Sequence, residues 1–350
     1  MRNFKIIIML MVLLILNSVF SQDLVKEKEY QISSIAFYNL ENLFDTLDTK
    51  NVNDTEFTPD GKKKWNSKKY YYKQKNMAKV ISKLAIESVP NGPAIIGLCE
   101  IENSLVLEDL VMQEEIKSRG YKIVHHDGPD RRGIDCALLY NPNSFKLISS
   151  SSIELTLPGD TAFHSRDQLL VTGELFGERM HFIVVHWPSR RGGEKKSRHK
   201  RMRAASVSKG IIDSILNREP NAKVILMGDM NDDPINASMK EVLRAQDNTE
   251  NKEDLYNCMM GHYKKGIGTL AYRDNWNLFD QFVITPSLLS SNNEYSDFKY
   301  YSSIVFNKPF LKNKEGNFAG YPHRTFVGST FLGGYSDHFP VYIYLVKEIK

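Results

Sequence analysis

The sequence predicts an α/β protein with layered sheets and helices, for three reasons. Short apolar runs of strand length recur along the chain, and stretches with apolar residues at helical spacing lie between them. No internal repeat and no linker-like segment divides the chain. Many strands with intervening helices bury their apolar faces by stacking in layers, so we expect one domain.

The strands are predicted by apolar runs, and the helices by apolar residues three or four positions apart. The predicted strands are Ile32–Leu40, Ala94–Ile101, Lys122–His126, Cys136–Tyr140, Leu169–Leu175, His181–His186, Lys223–Met227, Gln281–Ile284 and Val341–Val346. Helical spacing is found at Met77, Val80, Ile81 and Leu84, and again at Ile211, Ile212, Ile215 and Leu216. Asn236 is typical of an N-cap and predicts a third helix over Ala237–Gln246.

The first residues have the features of a secretory signal peptide. Arg2 and Lys5 precede the apolar run Ile6–Leu16, and small side chains follow at the usual cleavage spacing. The run is about half of the ~20 residues that a membrane span needs, so an uncleaved anchor is the less favoured alternative. We therefore expect residues 1–21 to be removed, residues 22–350 to form the mature domain, and the protein to be secreted or periplasmic without a stable membrane anchor.

Composition constrains the function only weakly. The 46 basic residues barely exceed the 42 acidic ones, so net charge does not identify a partner. Three cysteines, Cys99, Cys136 and Cys258, are too few for a disulfide framework, and their spacing fits no zinc site.

Polar residues occur repeatedly at the ends of predicted strands. One such aspartate usually belongs to a turn, and one such histidine usually packs in a core. Glu100 is different because a carboxylate inside an apolar strand is costly unless a cation compensates it. Polar residues lie at or near the ends of many predicted strands, and the full set is Asn39, Glu41, Glu100, His186, Asp229, Asn231, Asp280, Asp337 and His338. This repetition favours a functional site.

The side chains in this set suit one kind of chemistry. Carboxylate and amide oxygens favour hard cations such as Mg²⁺, with waters and a substrate phosphate completing the coordination. Phosphoryl transfer also needs an oriented water and assistance to the leaving oxygen, which histidines and an Asp/Asn pair can provide. The set therefore predicts metal-dependent phosphoester hydrolysis.

The motifs around these residues resemble those of the endonuclease/exonuclease/phosphatase superfamily, in the same order. They are Tyr-Asn-Leu-Glu-Asn-Leu-Phe (38–44), Leu-Cys-Glu-Ile-Glu (98–102), Val-His-Trp-Pro-Ser (185–189), Gly-Asp-Met-Asn-Asp (228–232), Phe-Asp-Gln-Phe (279–282) and Ser-Asp-His-Phe-Pro-Val (336–341). The resemblance spans about residues 32 to 346. It implies a four-layer α/β sandwich, with two packed mixed sheets flanked by helices and the site at one edge.

The resemblance also implies a divalent metal, Mg²⁺ or Mn²⁺. Asn39 and Glu100 match the metal ligands of the superfamily, and Asp337 matches a residue near the metal. Glu41 is expected to assist through a water molecule.

The catalytic roles implied by the resemblance fall on the later motifs. Asp229 matches the residue that orients or deprotonates the attacking water, and Asn231 the amide beside it. His338 matches the histidine that contacts the phosphate, and Asp280 its carboxylate partner. His186 resembles a second histidine near the leaving group. The acidic partner of that histidine precedes the strand that contains Cys136, which makes Asp135 the candidate.

Several basic residues could face the substrate. Arg166 resembles an arginine near the phosphate, with a surface ion pair as the alternative. Arg190 and Arg191 follow His186 and open a basic run that continues to Arg203. Such a run is either a solvated helix face or a polyanion contact.

Three functions remain open at this level. The first is a secreted nuclease that hydrolyses DNA or RNA phosphodiester bonds, with nucleic acid as the substrate. The second is a phosphoesterase for small molecules or lipid head groups, similar to sphingomyelinases or inositol-phosphate phosphatases. The third is a catalytically inactive binding module, against which the intact motifs argue.

Overall fold

The computed structural model describes residues 28–251 and 253–349. The predicted signal peptide, residues 1–21, lies outside this part of the chain. Within it, no helix is both long and apolar enough to cross a lipid bilayer.

Strands account for most of the regular structure. In chain order they are β1 (Tyr30–Leu43), β2 (Ile95–Ile101), β3 (Lys122–His125), β4 (Asp135–Tyr140), β5 (Phe145–Ile153), β6 (Gln168–Leu175), β7 (Glu178–His186), β8 (Val224–Asp229), β9 (Ala245–Gln246), β10 (Leu255–Asn257), β11 (Leu270–Tyr272), β12 (Asn275–Asn277), β13 (Asp280–Ile284), β14 (Lys299–Val305), β15 (Phe326–Val327), β16 (Thr330–Phe331) and β17 (Val341–Glu348). Each of the predicted strands is present.

Helices are fewer, and the longest covers the basic run. The helices are α1 (Ser67–Ile81), α2 (Ser104–Val111), α3 (Glu194–Arg218) and α4 (Met260–Lys264). Short 3₁₀ turns lie at Thr55–Phe57, Lys117–Arg119, Pro286–Leu288 and Pro309–Leu311, and a π-helical turn at Ser238–Val242.

The strands form two large mixed sheets. The first has six strands in the order β14-β17-β1-β2-β4-β3, and the second has seven in the order β5-β6-β7-β8-β13-β10-β9. The pairs β1–β2 and β7–β8 are parallel, so in each sheet two carboxyl ends meet at one edge. Two small hairpins, β11–β12 and β15–β16, lie outside these sheets.

Alternation along β7 and β8 shows how the layers stack. Phe182 and Val184 belong to the core shared with the first sheet, whereas Ile183 and Val185 pack in a separate core with α3. Because successive side chains of a strand point to opposite faces, one face of the second sheet meets the first sheet and the other meets α3. Helices α1 and α2 pack against the first sheet, which completes the four layers. The predicted fold class is confirmed.

One helix prediction is wrong. Ala237–Gln246 does not form a continuous helix, because the π-helical turn at Ser238–Val242 gives way to β9, which pairs with β10. The Asn236 side chain accepts hydrogen bonds from the Asp233 amide and from Arg190 rather than capping a helix.

Helix α3 shows that its basic run is not a uniform solvated face. The side chain of Arg201 is fully buried, and its Nε lies 2.7 Å from Oδ1 of buried Asp232. Arg198, in contrast, is exposed and pairs with Glu194 one helical turn away. The sequence does not reveal this difference, because Asp232 is distant along the chain.

We predict that Arg201→Met destabilises the protein by about 3 kcal/mol, because it leaves the Asp232 carboxylate buried with only part of its compensation. The measurement is the free energy of unfolding in urea. The control is Arg198→Gln, which removes an exposed pair and should leave stability unchanged. Equal effects of the two substitutions would contradict the assignment of Arg201 as a structural residue.

Candidate active site

Three predicted site residues form one row across the second sheet. His186 at the end of β7 is the register partner of Asp229 at the end of β8, and Asp229 is the partner of Asp280 at the start of β13. All three lie on the face that meets the first sheet, by alternation from the core residues of each strand. Gly228 allows the close approach of β7, since a Cβ there would lie 2.1 Å from the Val185 carbonyl oxygen.

Asp229 is the buried centre of the site. Its Oδ2 accepts a hydrogen bond of 3.1 Å from the Asn39 side chain in the first sheet. Its Oδ1 accepts one of 2.9 Å from the backbone amide of Asn231. Burial raises the pKa of Asp229 to about 7, even though the positive charge of His338 acts in the opposite direction. A carboxyl group with this pKa can gain and lose a proton near neutral pH.

His338 and Asp280 form a buried pair. Nδ1 of His338 lies 2.7 Å from Oδ2 of Asp280, and its Nε2 lies 3.8 Å from Oδ2 of Asp229. Burial alone would lower the pKa of His338, but the Asp280 and Asp229 carboxylates hold it well above its usual range. His338 is therefore an imidazolium whose Nε2–H faces the site.

His186 approaches Asp229 from the other side. Its Nε2 lies 3.6 Å from Oδ2 of Asp229 and 3.8 Å from Oε1 of Glu100, both beyond hydrogen-bond distance. Burial, together with repulsion from Arg166 and Arg132, holds the pKa of His186 well below its usual range. His186 therefore differs in charge from His338.

A β-bulge aims Glu100 into the site. A Cβ at Gly97 would contact Met227 of β8, so odd positions of β2 face the second sheet and position 100 should point away. The register of β2 shifts between Cys99 and Ile101, and Glu100 adopts a left-handed φ of 59°. This strained conformation turns the carboxylate toward His186.

The predicted metal ligands Glu100, Asp337 and Asn39 offer side-chain oxygen atoms. Oε2 of Glu100 accepts a hydrogen bond from the Asn42 amide, whereas Oε1 has no hydrogen-bond partner among the described residues. Asp337 is partly exposed and pairs through Oδ2 with Arg324 at 2.8 Å. Asn39 accepts the Glu41 amide at its Oδ1. Because these donors are all oxygens, they fit a divalent cation.

Glu41 lies beside Asp337, and both pair with Arg324. Its two carboxylate oxygens accept hydrogen bonds from Arg324 and from the Thr325 amide. Burial and the nearby Asp337 raise the pKa of Glu41 to about 7. Glu41 therefore fixes the segment around Arg324, and its expected role through a water molecule stays a prediction.

Two residues of this network were not predicted from the sequence. Buried Lys73 on α1 donates a hydrogen bond to Thr325, and burial lowers its pKa to about 8. The sequence does contain a signal for Lys73, because a charged residue lies there among the apolar residues of one helix face. Glu100 was identified by the same kind of signal in a strand. Arg324, which joins Glu41 to Asp337, lies in a loop without any such pattern.

The predicted pairing of Asp135 with His186 is wrong. Asp135 lies 3.2 Å from Nε2 of His125 and accepts a hydrogen bond from the Gly128 amide. The alternation of side chains along β4 explains the difference. Cys136 is the register partner of Cys99, which faces the second sheet, so the neighbouring Asp135 points to the opposite face. Among the described residues, Nδ1 of His186 has no hydrogen-bond partner.

The three predicted substrate-binding arginines have different environments. Arg166 is buried, donates to the Trp187 carbonyl at 2.6 Å and pairs with Asp130, so the surface-pair alternative is wrong, and its phosphate contact stays a prediction. Arg190 is the clearest correction. Its guanidinium donates hydrogen bonds to the Asn231 carbonyl and to polar side chains of residues 232–236. Arg190 therefore holds the loop after β8 in place. Arg191 is exposed.

Residues 34–347 match the profile of the Endonuclease/Exonuclease/phosphatase family. The chain belongs to this family. The family consists of metal-dependent phosphoester hydrolases, so the predicted resemblance and the predicted type of enzyme are confirmed. No curated protein matches the chain in sequence.

Solved structures share the family fold at low sequence identity. Humanized TDP2 from D. rerio superposes with a TM-score of 0.54 and 14% identity, covering 90% of this chain and 98% of that one. A family protein from Bacteroides thetaiotaomicron gives 0.52 and 17%, covering 92% and 98%. A mannosyl-6-phosphatase from the same organism gives 0.52 and 17%, covering 89% and 99%. At these identities, the likeness is one of fold.

We predict that the metal-free protein becomes less stable as pH rises from 6.5 to 8. Asp229 and Glu41 have pKa values of about 7 in the folded state, far above those of unfolded carboxyl groups, and the pKa of His338 is also raised. The folded state therefore binds more protons than the unfolded chain in this window, and it loses that advantage as the protons leave. The lowered pKa values of His186 and Lys73 act in the opposite direction, His186 mainly below pH 6.5 and Lys73 toward pH 8, and they reduce the trend without reversing it.

The test is the urea midpoint of chelator-treated protein at both pH values. Asp229→Asn should reduce the difference between the two midpoints, whereas Asp127→Asn, at a side chain that is 91% exposed, should not. A midpoint that rises with pH would contradict the predicted protonation of the site.

Proposed function

We propose that this enzyme is a secreted phosphodiesterase that cleaves nucleic acid with Mg²⁺ or Mn²⁺. One observation carries the proposal: the Nε2 atoms of two histidines lie 3.6 and 3.8 Å from the same oxygen of Asp229, next to Glu100. Hydrolysis of a diester needs an activated water, a positive group at the phosphoryl oxygens and assistance at the leaving oxygen. These residues offer one group for each task.

Each residue has a definite task in the proposed mechanism. Asp229, with its pKa near neutrality, orients the attacking water and accepts its proton. The imidazolium of His338, fixed by Asp280, directs Nε2–H to a phosphoryl oxygen. Neutral His186 would assist the leaving oxygen by a hydrogen bond from its ring N–H, and that oxygen then takes its proton from solvent. Asn231 donates its side-chain amide to the Trp187 carbonyl and its backbone amide to Asp229, which fixes the base.

Glu100, Asn39 and Asp337 would hold the cation. A divalent ion bound there would neutralise charge on the phosphoryl oxygens. Oxygen donors without cysteine or histidine favour Mg²⁺ or Mn²⁺ over softer metals.

The preference for nucleic acid comes from a neighbour of the same fold and not from the histidines, because the leaving group of a phosphate monoester and of a diester is an ester oxygen in both cases. One neighbour of the same fold, TDP2 from D. rerio, was solved in complex with a single-stranded DNA product. The alternative is a small phosphate ester, and the Bacteroides mannosyl-6-phosphatase is a neighbour of that type.

We predict that Glu100→Gln lowers kcat/KM by about a thousandfold, as expected for the loss of several kcal/mol of metal-derived stabilisation. Titration calorimetry should show weakened Mn²⁺ binding, while circular dichroism shows an intact fold. Glu108→Gln, an exposed position on α2, is the matched control and should behave as wild type. Normal turnover by Glu100→Gln would refute the metal assignment.

The substrate proposal is tested by comparing single-stranded DNA, RNA, bis(p-nitrophenyl) phosphate, mannose 6-phosphate and sphingomyelin at one Mg²⁺ concentration. We expect the highest kcat/KM on an oligonucleotide, and loss of all activity with EDTA. Preference for mannose 6-phosphate or sphingomyelin would overturn the nuclease assignment while leaving the phosphoesterase chemistry in place.

Export is a separate part of the proposal, based on the N-terminal sequence. Expression of the full chain in a bacterial host should give a periplasmic or extracellular protein whose mass corresponds to cleavage near residue 21. An intact N-terminus found in the cytoplasm would contradict it.

A further inference from the structure

A cavity of about 590 Å³ lies beside the active site, between the β11–β12 hairpin and the loop that follows β7. Arg191 and Glu194 line the wall of the cavity that is formed by the loop. Tyr272 and Arg273 line the wall that is formed by the hairpin. Phe279 also lines the cavity. This volume is in the range of small-molecule binding sites.

Chain connections bring the cavity close to the catalytic residues. Phe279 directly precedes Asp280, and the guanidinium of Arg190 stacks 4.5 Å from the Phe279 ring while donating to the Asn231 carbonyl. On the other side, Trp276 of the hairpin stacks on Phe339, the residue after His338. The hairpin is therefore attached to the segment that carries His338.

The hairpin tip is held in a fixed conformation. Arg273 and Asp274 both have left-handed φ angles, 49° and 62°, as a two-residue turn between twisted strands requires. The Tyr321 hydroxyl donates to the Asp274 carboxylate at 2.6 Å and accepts from the Asp274 amide at 2.7 Å. The position of Arg273 is therefore set before any ligand arrives.

The charges that line the cavity leave two guanidinium groups available. Arg190 is used by Asp232 and Asp233, and Glu194 is used by Arg198 and Arg201. Arg191 and Arg273 are exposed and form no ion pair within the described part of the chain. Two free cations on opposite sides of one cavity attract an anionic ligand.

An aromatic side chain accompanies these cations. Tyr272 is 63% exposed, and the Arg273 guanidinium lies 5.2 Å from its ring centroid. Exposed aromatics next to arginines are typical of surfaces that bind single-stranded nucleic acid, where bases stack and the backbone follows the positive charge. The tip of the hairpin is Arg273-Asp274, which is too polar to insert into a membrane.

We propose that this cavity binds the nucleotide next to the scissile phosphate, with its base against Tyr272 and its outer phosphate between Arg191 and Arg273. The inference rests on the proposed nuclease function and adds the site that distinguishes a strand from a small ester. A small bis-ester has no second phosphate or base, so it would not use this cavity.

The test compares two double variants that each remove two positive charges. Arg191→Gln with Arg273→Gln removes the cations that line the cavity, whereas Lys195→Gln with Lys196→Gln removes exposed charges from the adjacent start of α3. Binding of a fluorescein-labelled 12-nucleotide single strand is measured by anisotropy over a range of salt concentrations, in the Asp229→Asn background with Mg²⁺ present. The ratio of kcat/KM on this strand to kcat/KM on bis(p-nitrophenyl) phosphate is measured in otherwise wild-type protein.

We expect the arginine pair to reduce the slope of log affinity against log salt by about 0.7, because the two arginines share one phosphate and each neutralised phosphate on a single strand contributes about 0.7. The ratio of strand to bis-ester activity should fall with it. The lysine pair should have a much smaller effect on both. Tyr272→Ala should weaken strand binding about tenfold, and Tyr272→Phe should retain it, because stacking needs the ring and not the hydroxyl.

The outcomes separate this inference from the function on which it rests. If wild-type enzyme cleaves the strand but the two double variants have equal effects, the cavity is not a nucleotide site. The substrate is then attracted only by the overall positive electrostatic potential of this surface. If the enzyme hydrolyses small esters and cleaves no strand, the nuclease function and the nucleotide site both fail. If Tyr272→Ala loses binding to sphingomyelin vesicles and retains strand binding, the hairpin contacts lipid instead, and the inference is overturned.

Discussion

A carboxylate buried between two sheets has to be compensated by hydrogen-bond donors and positive charge, and the arrangement of the site follows from this requirement at Asp229. Asn39 reaches it from the first sheet, and the Asn231 amide reaches it from the turn after β8. Charge is supplied by His338, which Asp280 in turn keeps protonated. The four-layer packing and the candidate site therefore depend on each other, because Asn39 and His338 can compensate Asp229 only when the two sheets are in contact.

Sequence patterns predicted the features that depend on local periodicity. Apolar runs located nine of the thirteen strands of the two large sheets and missed β5, β9, β10 and β14. The same runs showed where polar residues follow a strand. Glu100 was identified because a charge within an apolar run has few structural explanations. Its direction was not predictable, since the bulge that turns it inward arises from the register with the neighbouring strands. The order of the motifs was sufficient to identify the family.

Features that depend on contacts between distant segments were missed or misassigned. Asp135 lies on the face of its strand that points away from His186, a difference of one position in an alternating pattern. Arg190 and Arg201 belong to a run of exposed appearance, yet both contact Asp232, which follows them by more than thirty residues. Arg324 has no signal at all, because its partners come from the first strand and the last catalytic loop.

Different parts of the fold hold the reacting groups and one side of the cavity. The reacting groups are fixed by long strands in both sheets, whereas one side of the cavity is a hairpin with a two-residue turn that pairs with neither large sheet. An exchange of the Arg273-Asp274 turn would alter one wall of the cavity without changing the register of His186, Asp229 and Asp280. With the proposed nucleotide site in this cavity, substrate preference can change through one short segment while the hydrolytic residues stay in place, so this segment is where directed evolution should introduce diversity.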